Sequence, residues 1–174
     1  QPVGDGVHAL QFAVFDGASW GASQRIAQGD DWFVNFADFP SMAVLRDGTL
    51  AAHWLQKSGS GTYAYDVKIA LSRDGGASWT EPVVPHTDAT ATEHGFVSML
   101  PWSADRLFAI WLDGRRFEGL KEEEVEQHAA MTLRYAILRG DGSTEEDGEI
   151  DARTCSCCQT TAIPVGNGVL VAYR

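Results

Sequence analysis

The stretch FPSMAVLRDGTLAAHW (residues 39–54) decides the fold, because a second version of it begins 57 residues later. That second copy is FVSMLPWSADRLFAIW (residues 96–111), and it repeats the Phe, Ser, Met and Trp at equivalent positions. A third, weaker copy, QTTAIPVGNGVLVAYR, occupies residues 159–174. In each copy, two short apolar segments flank a tight-turn sequence. This pattern predicts a strand, a turn and a second strand.

The repeat organises the chain into larger units. The first two hairpins are each followed by another pair of strand-like segments, which gives four strands per unit. Four-stranded units that recur every ~50–60 residues are typical of β-propeller blades. We therefore predict an all-β chain with about three blades' worth of strands. The predicted units are outer strands of one blade at 7–29, blades at 37–86 and 92–150, and an inner hairpin at 155–174.

The composition argues against two kinds of partner. Asp and Glu number 24 against 13 Lys and Arg, so the net charge is -11. A protein that binds a nucleic-acid backbone needs a basic face, and we predict no nucleic-acid partner. The sequence has no run of about 18 apolar residues, which predicts no membrane span. Its 18 glycines and six tryptophans indicate many turns and large aromatic anchors, as in all-β proteins.

The segment SRDGGASW (residues 72–79) matches the pattern S-x-D-x-G-x-x-W in full, which is known as the Asp box or bacterial neuraminidase repeat. The aspartate can accept hydrogen bonds from turn amides, the glycine permits a positive φ, and the tryptophan packs the hairpin against its sheet. We predict that the motif is structural. Its defining residues are Ser72, Asp74, Gly76 and Trp79.

With its repeat and this motif, the chain resembles the sialidase-like superfamily of six-bladed β-propellers. The resemblance implies that the motif lies on a blade turn away from the active site. It also implies that three blades are half of a ring. We therefore expect either that the chain is a fragment or that a second chain supplies the other half. The family further implies an exported protein, either secreted or periplasmic.

Candidate functional residues lie where the inner strands of the predicted blades begin or end, because a propeller binds ligands at one end of its channel. The repeat places Asp38 just before one inner strand, and Glu93 and His94 just before the next. The second strand of each blade returns to the same rim. The residues that it brings there are His53, Arg115 and Arg174.

Sialidases of this family open the first inner strand with Arg-Ile-Pro, whose arginine contacts the substrate carboxylate. Here Asp38-Phe39-Pro40 stands in that place, and an aspartate repels a carboxylate by about 1–4 kcal/mol at short range. This change disfavours sialic acid as the substrate. We still predict a protein that binds or cleaves glycans. If it is an exo-glycosidase, Asp38 or Glu93 transfers protons. The other rim residues, His53, His94, Arg115 and Arg174, would bind a glycan or small anionic ligand.

All three cysteines lie within four residues, at Cys155, Cys157 and Cys158. In an exported protein, two of them could form a disulfide and leave a third thiol. Alternatively, the thiolates together with His94 or His53 could hold a soft metal ion such as copper or zinc. This second possibility belongs to the competing function, a non-catalytic propeller for binding or assembly.

Two further predictions concern polar residues. The acidic stretch at 117–130 is expected to be a solvated excursion between strands rather than a core helix. His86 has no partner nearby in the sequence and is expected to be an ordinary surface or strand histidine.

Overall fold

The computed structural model describes residues 1–121, 124 and 130–174, which form four antiparallel sheets. The first sheet contains β1 (Pro2–Gly4), β2 (Val7–Phe12) and β3 (Gln24–Gly29), and the second contains β4 (Met42–Val44), β5 (Leu50–Lys57) and β6 (Tyr65–Ser72). The third contains β7 (His94–Pro101), β8 (Arg106–Asp113), β9 (Met131–Arg139) and β10 (Thr144–Thr154), and the fourth contains β11 (Thr161–Val165) and β12 (Gly168–Ala172). A 3-10 turn (Arg115–Phe117) follows β8. The predicted all-β class is confirmed.

Two sequence predictions meet the limits of this description. The acidic excursion falls largely on residues 122, 123 and 125–129, which lie outside the described residues. Within the described part of the chain, no helix has the length and apolar character needed to cross a membrane.

Each copy of the sequence repeat is an antiparallel hairpin. β4 pairs with β5, β7 with β8, and β11 with β12. The turn between β4 and β5 needs a left-handed backbone at Gly48, where φ is +89°. Glycine adopts this conformation without steric cost, which explains the Asp-Gly sequence at that point.

Polarity changes from strand to strand across the third sheet. Its order is β10-β9-β8-β7, so β8 lies inside the sheet and β10 at one edge. β8 is buried over nearly its whole length, and its sequence RLFAIWLD is a continuous apolar run. β10 is largely exposed, and its sequence TEEDGEIDART is rich in charge. A charged edge strand opposes pairing with other chains.

The hydrophobic core consists of two clusters, each between neighbouring sheets. The first cluster joins the second and third sheets, with Ile69 of β6 packed near Trp111 of β8. The second joins the third and fourth sheets, where Val169 and Val171 of β12 cover the cluster around Ile110. A fully buried aliphatic side chain contributes about 1.5–3 kcal/mol, so these contacts hold the sheets together in chain order.

The turn at residues 72–79 is organised around the carboxylate of Asp74. The carboxylate accepts hydrogen bonds from Ser72 Oγ at 2.8 Å and from the backbone N–H of Ser78 at 2.9 Å. Ser72 Oγ accepts in turn from the backbone N–H of Gly76 at 2.8 Å. Hydrogen bonds from Ser78 and Ser72 favour the charged carboxylate and lower the pKa of Asp74 to about 2. The contacts are those of a structural turn.

Gly76 packs this turn against the first sheet. Its φ is +94°, and a Cβ here would collide with the ring of Phe12, which contacts Trp79 edge-on at a centroid distance of 6.1 Å. We expect Gly76→Ala to lower the free energy of unfolding by about 2–4 kcal/mol, since overlap and backbone strain add. Urea unfolding measures this loss. Gly75→Ala is the matched control, because Gly75 has a φ of +72° and open space around it. Equal losses in both variants would contradict the packing role.

Candidate functional site

Three ionisable side chains, those of Asp38, Tyr65 and Glu93, lie close together between the second and third sheets. Tyr65 is the first residue of β6, Glu93 directly precedes β7, and the two form a parallel bridge. Asp38 lies in the loop before β4. The side-chain oxygen of Asn35 accepts hydrogen bonds at 2.7 Å from the backbone N–H groups of both Ala37 and Asp38. This capped turn fixes the position of the Asp38 backbone.

The Asp38 carboxyl is buried, with 4% of the residue exposed. Its Oδ2 accepts a hydrogen bond of 2.8 Å from the backbone N–H of Phe96, whereas Oδ1 is buried without a partner among the described residues. Burial raises the pKa of Asp38 to about 7 and the negative charge of Glu93 adds to this, although the Phe96 hydrogen bond opposes it. Near neutral pH, the carboxyl is therefore close to half protonated.

An irregularity in β7 makes the approach of Asp38 possible. A Cβ at Gly95 would collide with Asp38 Oδ2, so this position requires glycine. The next residue, Phe96, has a φ of +54°, which is uncommon for a residue with a side chain. The pairing with β8 shifts register between Gly95 and Ser98. Such bulges redirect groups near functional sites, and this one lets the Phe96 N–H donate to Asp38.

Tyr65 joins the site to the core. Its ring is stacked on Phe33 at a centroid distance of 3.9 Å, and its hydroxyl donates a hydrogen bond of 2.9 Å to Glu93 Oε1. Burial, followed by the negative charges of Glu93 and Asp38, raises the pKa of Tyr65, so the hydroxyl stays protonated. Glu93 is half-buried, and its burial raises the pKa of the carboxyl despite this hydrogen bond. The Glu93 carboxyl group is therefore fixed by Tyr65 and remains partly exposed.

A cleft of about 800 Å³ lies beside Glu93. This volume is in the range of small-ligand sites. Glu93 and Arg153 are the charged residues on its described lining, which also contains the polar residues Thr62, Tyr63, Thr92, Thr154 and Ser156. Asp38 lines a different, smaller cavity of about 120 Å³. Of the two predicted proton-transfer residues, Glu93 is the one on the larger cleft.

A buried ion pair lies next to this site. Asp113 ends β8 with 0% exposure, and its two carboxylate oxygens accept hydrogen bonds from Nε and Nη2 of Arg115, each 2.7 Å long. Trp111 Nε1 donates a third bond of 2.7 Å. Burial by itself raises the pKa of Asp113, but the bonds from Arg115 and the nearby His94 outweigh it and hold the pKa below its ordinary value. The carboxylate is therefore ionised.

His94 connects this ion pair to Asp88. Its Nε2 lies 3.1 Å from Asp88 Oδ2, and its Nδ1 lies 3.1 Å from the carbonyl oxygen of Thr92. Both ring nitrogens thus face acceptors. Burial lowers the pKa of His94, but the Asp88 hydrogen bond and the charge of Asp113 outweigh burial and raise it. The protonated imidazolium is the form that fits this environment.

His86 is not the ordinary surface or strand histidine that the sequence predicted. It is buried, its Nδ1 lies 2.8 Å from Asp88 Oδ1, and its ring is stacked on that of His94 at 3.8 Å and 6°. Asp66, His86 and His94 bring possible metal-ligand atoms within 4.8 Å of one another. Lone pairs of imidazole nitrogens lie in the ring plane, so two parallel stacked rings cannot both bind one ion. We therefore do not assign a metal site to this group.

His53 and His94 are both fully buried, which does not fit their predicted role in contacting substrate. His53 lies inside β5, and its Nδ1 accepts a hydrogen bond of 3.1 Å from the backbone N–H of Ser41. Burial lowers the pKa of His53 to about 3, so the ring is neutral. Both side chains are buried in packed interfaces, and their contact with a ligand stays a prediction.

Comparison with solved structures identifies the fold of this chain. No protein-family model and no curated protein matches the chain. Among solved structures, two of NanB sialidase from Streptococcus pneumoniae, one a ligand complex and one a mutant, each match 94% of this chain with 18% identity and a TM-score of 0.52. The fold is sialidase-like. The intramolecular trans-sialidase from Ruminococcus gnavus matches 80% of this chain and 40% of its own, with 15% identity and a TM-score of 0.30.

The likeness to NanB concerns one part of a larger molecule. This chain covers 24% of the NanB chain, and at 18% identity the likeness establishes the fold alone. The predicted sialidase-like fold is thereby confirmed. What the residues of the cleft do has to be inferred from their own chemistry.

The two predicted anion-binding arginines have different surroundings in this sialidase-like fold. The guanidinium of Arg115 pairs with Asp113 and also lies 3.3 Å from Asp88, so two carboxylates already balance its charge. Arg174 is exposed, and its Nη1 lies 3.9 Å from Cys158 Sγ. The arginine found on the described lining of the cleft is Arg153, which the sequence did not suggest.

The three cysteines form a compact loop in which their sulfur atoms lie within 4.8 Å of one another. A disulfide joins Cys155 and Cys158, and Cys157 is free and exposed. Cysteine binds copper or zinc as a thiolate, so this disulfide would have to be reduced before three sulfurs could bind an ion. His94 is hydrogen-bonded to Asp88, and His53 is fully buried inside β5. A metal ion at the reduced loop stays a prediction.

Proposed function

We propose that this chain is part of a sialidase-like protein that binds an acidic glycan, or a similar small anion, in the cleft beside Glu93. The Tyr65–Glu93 pair carries this proposal, because it holds a carboxyl group of raised pKa at the wall of a ligand-sized cleft. Arg153 on the same lining supplies a positive charge for an anionic ligand. The NanB sialidase complex contains an ammonio-ethanesulfonate compound, a zwitterion with one anionic sulfonate group, and a ligand with an anionic group is the class proposed for this cleft.

In this proposal, Glu93 transfers a proton to or from the bound glycan. A group with a pKa raised toward the working pH is effective in proton transfer, and glycoside cleavage needs such a carboxyl. The Tyr65 hydroxyl orients it by donating to Oε1. Asp38 is nearly enclosed, and its carboxyl accepts a hydrogen bond from the Phe96 N–H. We therefore assign it the role of holding the β7 bulge in place rather than contacting the ligand.

We expect Glu93→Gln to lower turnover of a fluorogenic sialoside or glucuronide by about 100-fold or more, since loss of general acid–base catalysis costs at least that much. The substitution keeps the size of the side chain and its ability to accept from Tyr65. Release of the fluorophore measures the rate, and calorimetry measures binding of the glycan. Glu81→Gln is the matched control, because Glu81 is exposed and is not found on the cleft lining. Full turnover by Glu93→Gln would refute proton transfer by this residue.

Binding without turnover is the second candidate function. The burial of the groups beside Glu93 favours it. Asp38 and Tyr65 are only 4% and 1% exposed, so they have little surface with which to contact a substrate. Saturable binding of acidic glycans with no turnover in the wild-type protein would support a non-catalytic module over an enzyme.

We also propose that the four sheets are propeller blades completed by further strands or by a second chain. Apolar side chains on the fourth sheet support this proposal, because they are more than half exposed: Ile163, Val165 and Leu170. The Cys155–Cys158 disulfide supports a secreted or periplasmic location, since disulfides persist in oxidising compartments.

A further inference from the structure

The loop that carries the three cysteines is held in a defined position. The backbone N–H of Cys155 donates a hydrogen bond of 2.7 Å to the carbonyl oxygen of Arg174, which lies just beyond β12. Thr154 Oγ1 donates one of 3.0 Å to the carbonyl oxygen of Cys155. The first bond ties Cys155 to the chain just beyond β12 in the fourth sheet, and the second lies at the end of β10 in the third sheet. The loop therefore presents its sulfur atoms on a fixed base.

The free thiol lies against this disulfide. Cys157 Sγ is 3.8 Å from Cys155 Sγ, near van der Waals contact, and Cys157 is exposed to solvent. On the other side, the guanidinium Nη1 of Arg174 lies 3.9 Å from Cys158 Sγ. An attacking thiol, the sulfur under attack and a cation beside the leaving sulfur are thus together in one loop.

We propose that these three cysteines form a thiol–disulfide exchange site in which Cys157 is the attacking thiol. Cys157 gives its proton to solvent, and its exposed side chain turns until the resulting thiolate is in line with the Cys155–Cys158 bond and attacks Cys155 Sγ. A Cys155–Cys157 bond forms as the Cys155–Cys158 bond breaks, and the bonding electron pair leaves on Cys158 Sγ. One disulfide replaces another, so the step needs neither an oxidant nor a reductant. The Arg174 charge stabilises the departing thiolate.

The exposed thiol also defines the external reactant, which is a low-molecular-weight disulfide. The Cys157 thiolate attacks one sulfur of that molecule, forms a mixed disulfide and releases the other half as a thiol. Ser156, between two of the cysteines, lies on the lining of the cleft, so the exchange site adjoins the proposed ligand site. The exchange chemistry is independent of glycan binding and stands if that proposal fails.

Differential alkylation tests the internal exchange. The protein, purified without reductant, is held at pH values from 6 to 9, and free thiols are labelled with light iodoacetamide. After reduction, the remaining thiols are labelled with the heavy form, and mass spectrometry locates the light label. We expect light label on both Cys157 and Cys158. The distribution of label between them should reach its final value faster at higher pH. Arg174→Gln should lower the Cys158-labelled fraction by about 2- to 5-fold, as expected for an exposed charge.

Two variants and one reagent complete the test. Bis(2-hydroxyethyl) disulfide should add one mixed disulfide at Cys157 of the wild type. Cys157→Ser should abolish both that adduct and the light label on Cys158, whereas the control Ser23→Ala, at an exposed serine that is not found on the cleft lining, should keep both. Light label confined to Cys157 at every pH would overturn the proposal. So would three reduced thiols with stoichiometric copper or zinc in elemental analysis, because a metal site would then explain the cluster.

Discussion

Replacing Asp113 by asparagine is expected to lower the free energy of unfolding by about 3–5 kcal/mol, the usual cost of breaking a buried ion pair. Asp113 is 0% exposed and accepts two hydrogen bonds of 2.7 Å from Arg115. Its charge also lies 3.8 Å from His94 Nε2. The asparagine has nearly the same shape but no charge, so it leaves two cationic groups with less compensation in a buried site.

Urea unfolding at pH 7 measures this loss, and Asp105→Asn provides the control. Asp105 directly precedes β8, and Asp113 is the last residue of the same strand. The Asp105 side chain is 61% exposed, and substitutions at such surface positions usually change the free energy of unfolding by no more than about 0.5 kcal/mol. A loss below about 1 kcal/mol for Asp113→Asn would show that Asp88 alone balances Arg115 and His94. The large expected loss for Asp113→Asn therefore depends on the burial of the Asp113–Arg115 pair, since both variants remove one negative charge.

The fold could be predicted from the sequence because its signals are local. Each repeated hairpin has two apolar segments around a turn residue such as Gly48, and these features are visible within 16 residues. The turn around Asp74 likewise depends on side chains two to four residues apart. Local patterns of this kind survive in any sheet packing, and they placed the strands at β4, β5, β7 and β8 where the structure has them.

The site could be predicted only in part, because its chemistry depends on contacts between distant residues. The start of an inner strand pointed to both Asp38 and Glu93, and the structure places these two carboxyl groups near each other. Tyr65 lies 28 residues from Glu93, and no sequence motif joins the two. His53 was expected to face the rim, but its place within β5 directs it into the core. Only the His-x-Asp spacing at 86–88 offered a sequence signal for the Asp88 network.

Asp38 should contribute stability that is lost as the pH rises from about 4 to 7. Its pKa is raised from 3.8 to about 7 in the folded protein, chiefly by burial. Between these values, the folded state keeps a proton that the unfolded state has released. The contribution of Asp38 to stability therefore decreases with pH across this range and does not change further above it.

Asp38→Asn should remove this contribution, because the amide has no proton to lose. The difference in free energy of unfolding, variant minus wild type, should rise by about 2–4 kcal/mol between pH 4 and pH 8, which is the order set by a shift of this size. The raised pKa of His94 also makes stability fall with pH, and the lowered pKa of His53 makes it rise, but both groups are present in both proteins and cancel in the difference. Urea unfolding at several pH values measures the difference, with the exposed Asp105→Asn as the reference. A difference that stays constant with pH would mean that the folded protein already holds Asp38 as a carboxylate at pH 5, and the unpartnered Oδ1 would then have to be solvated.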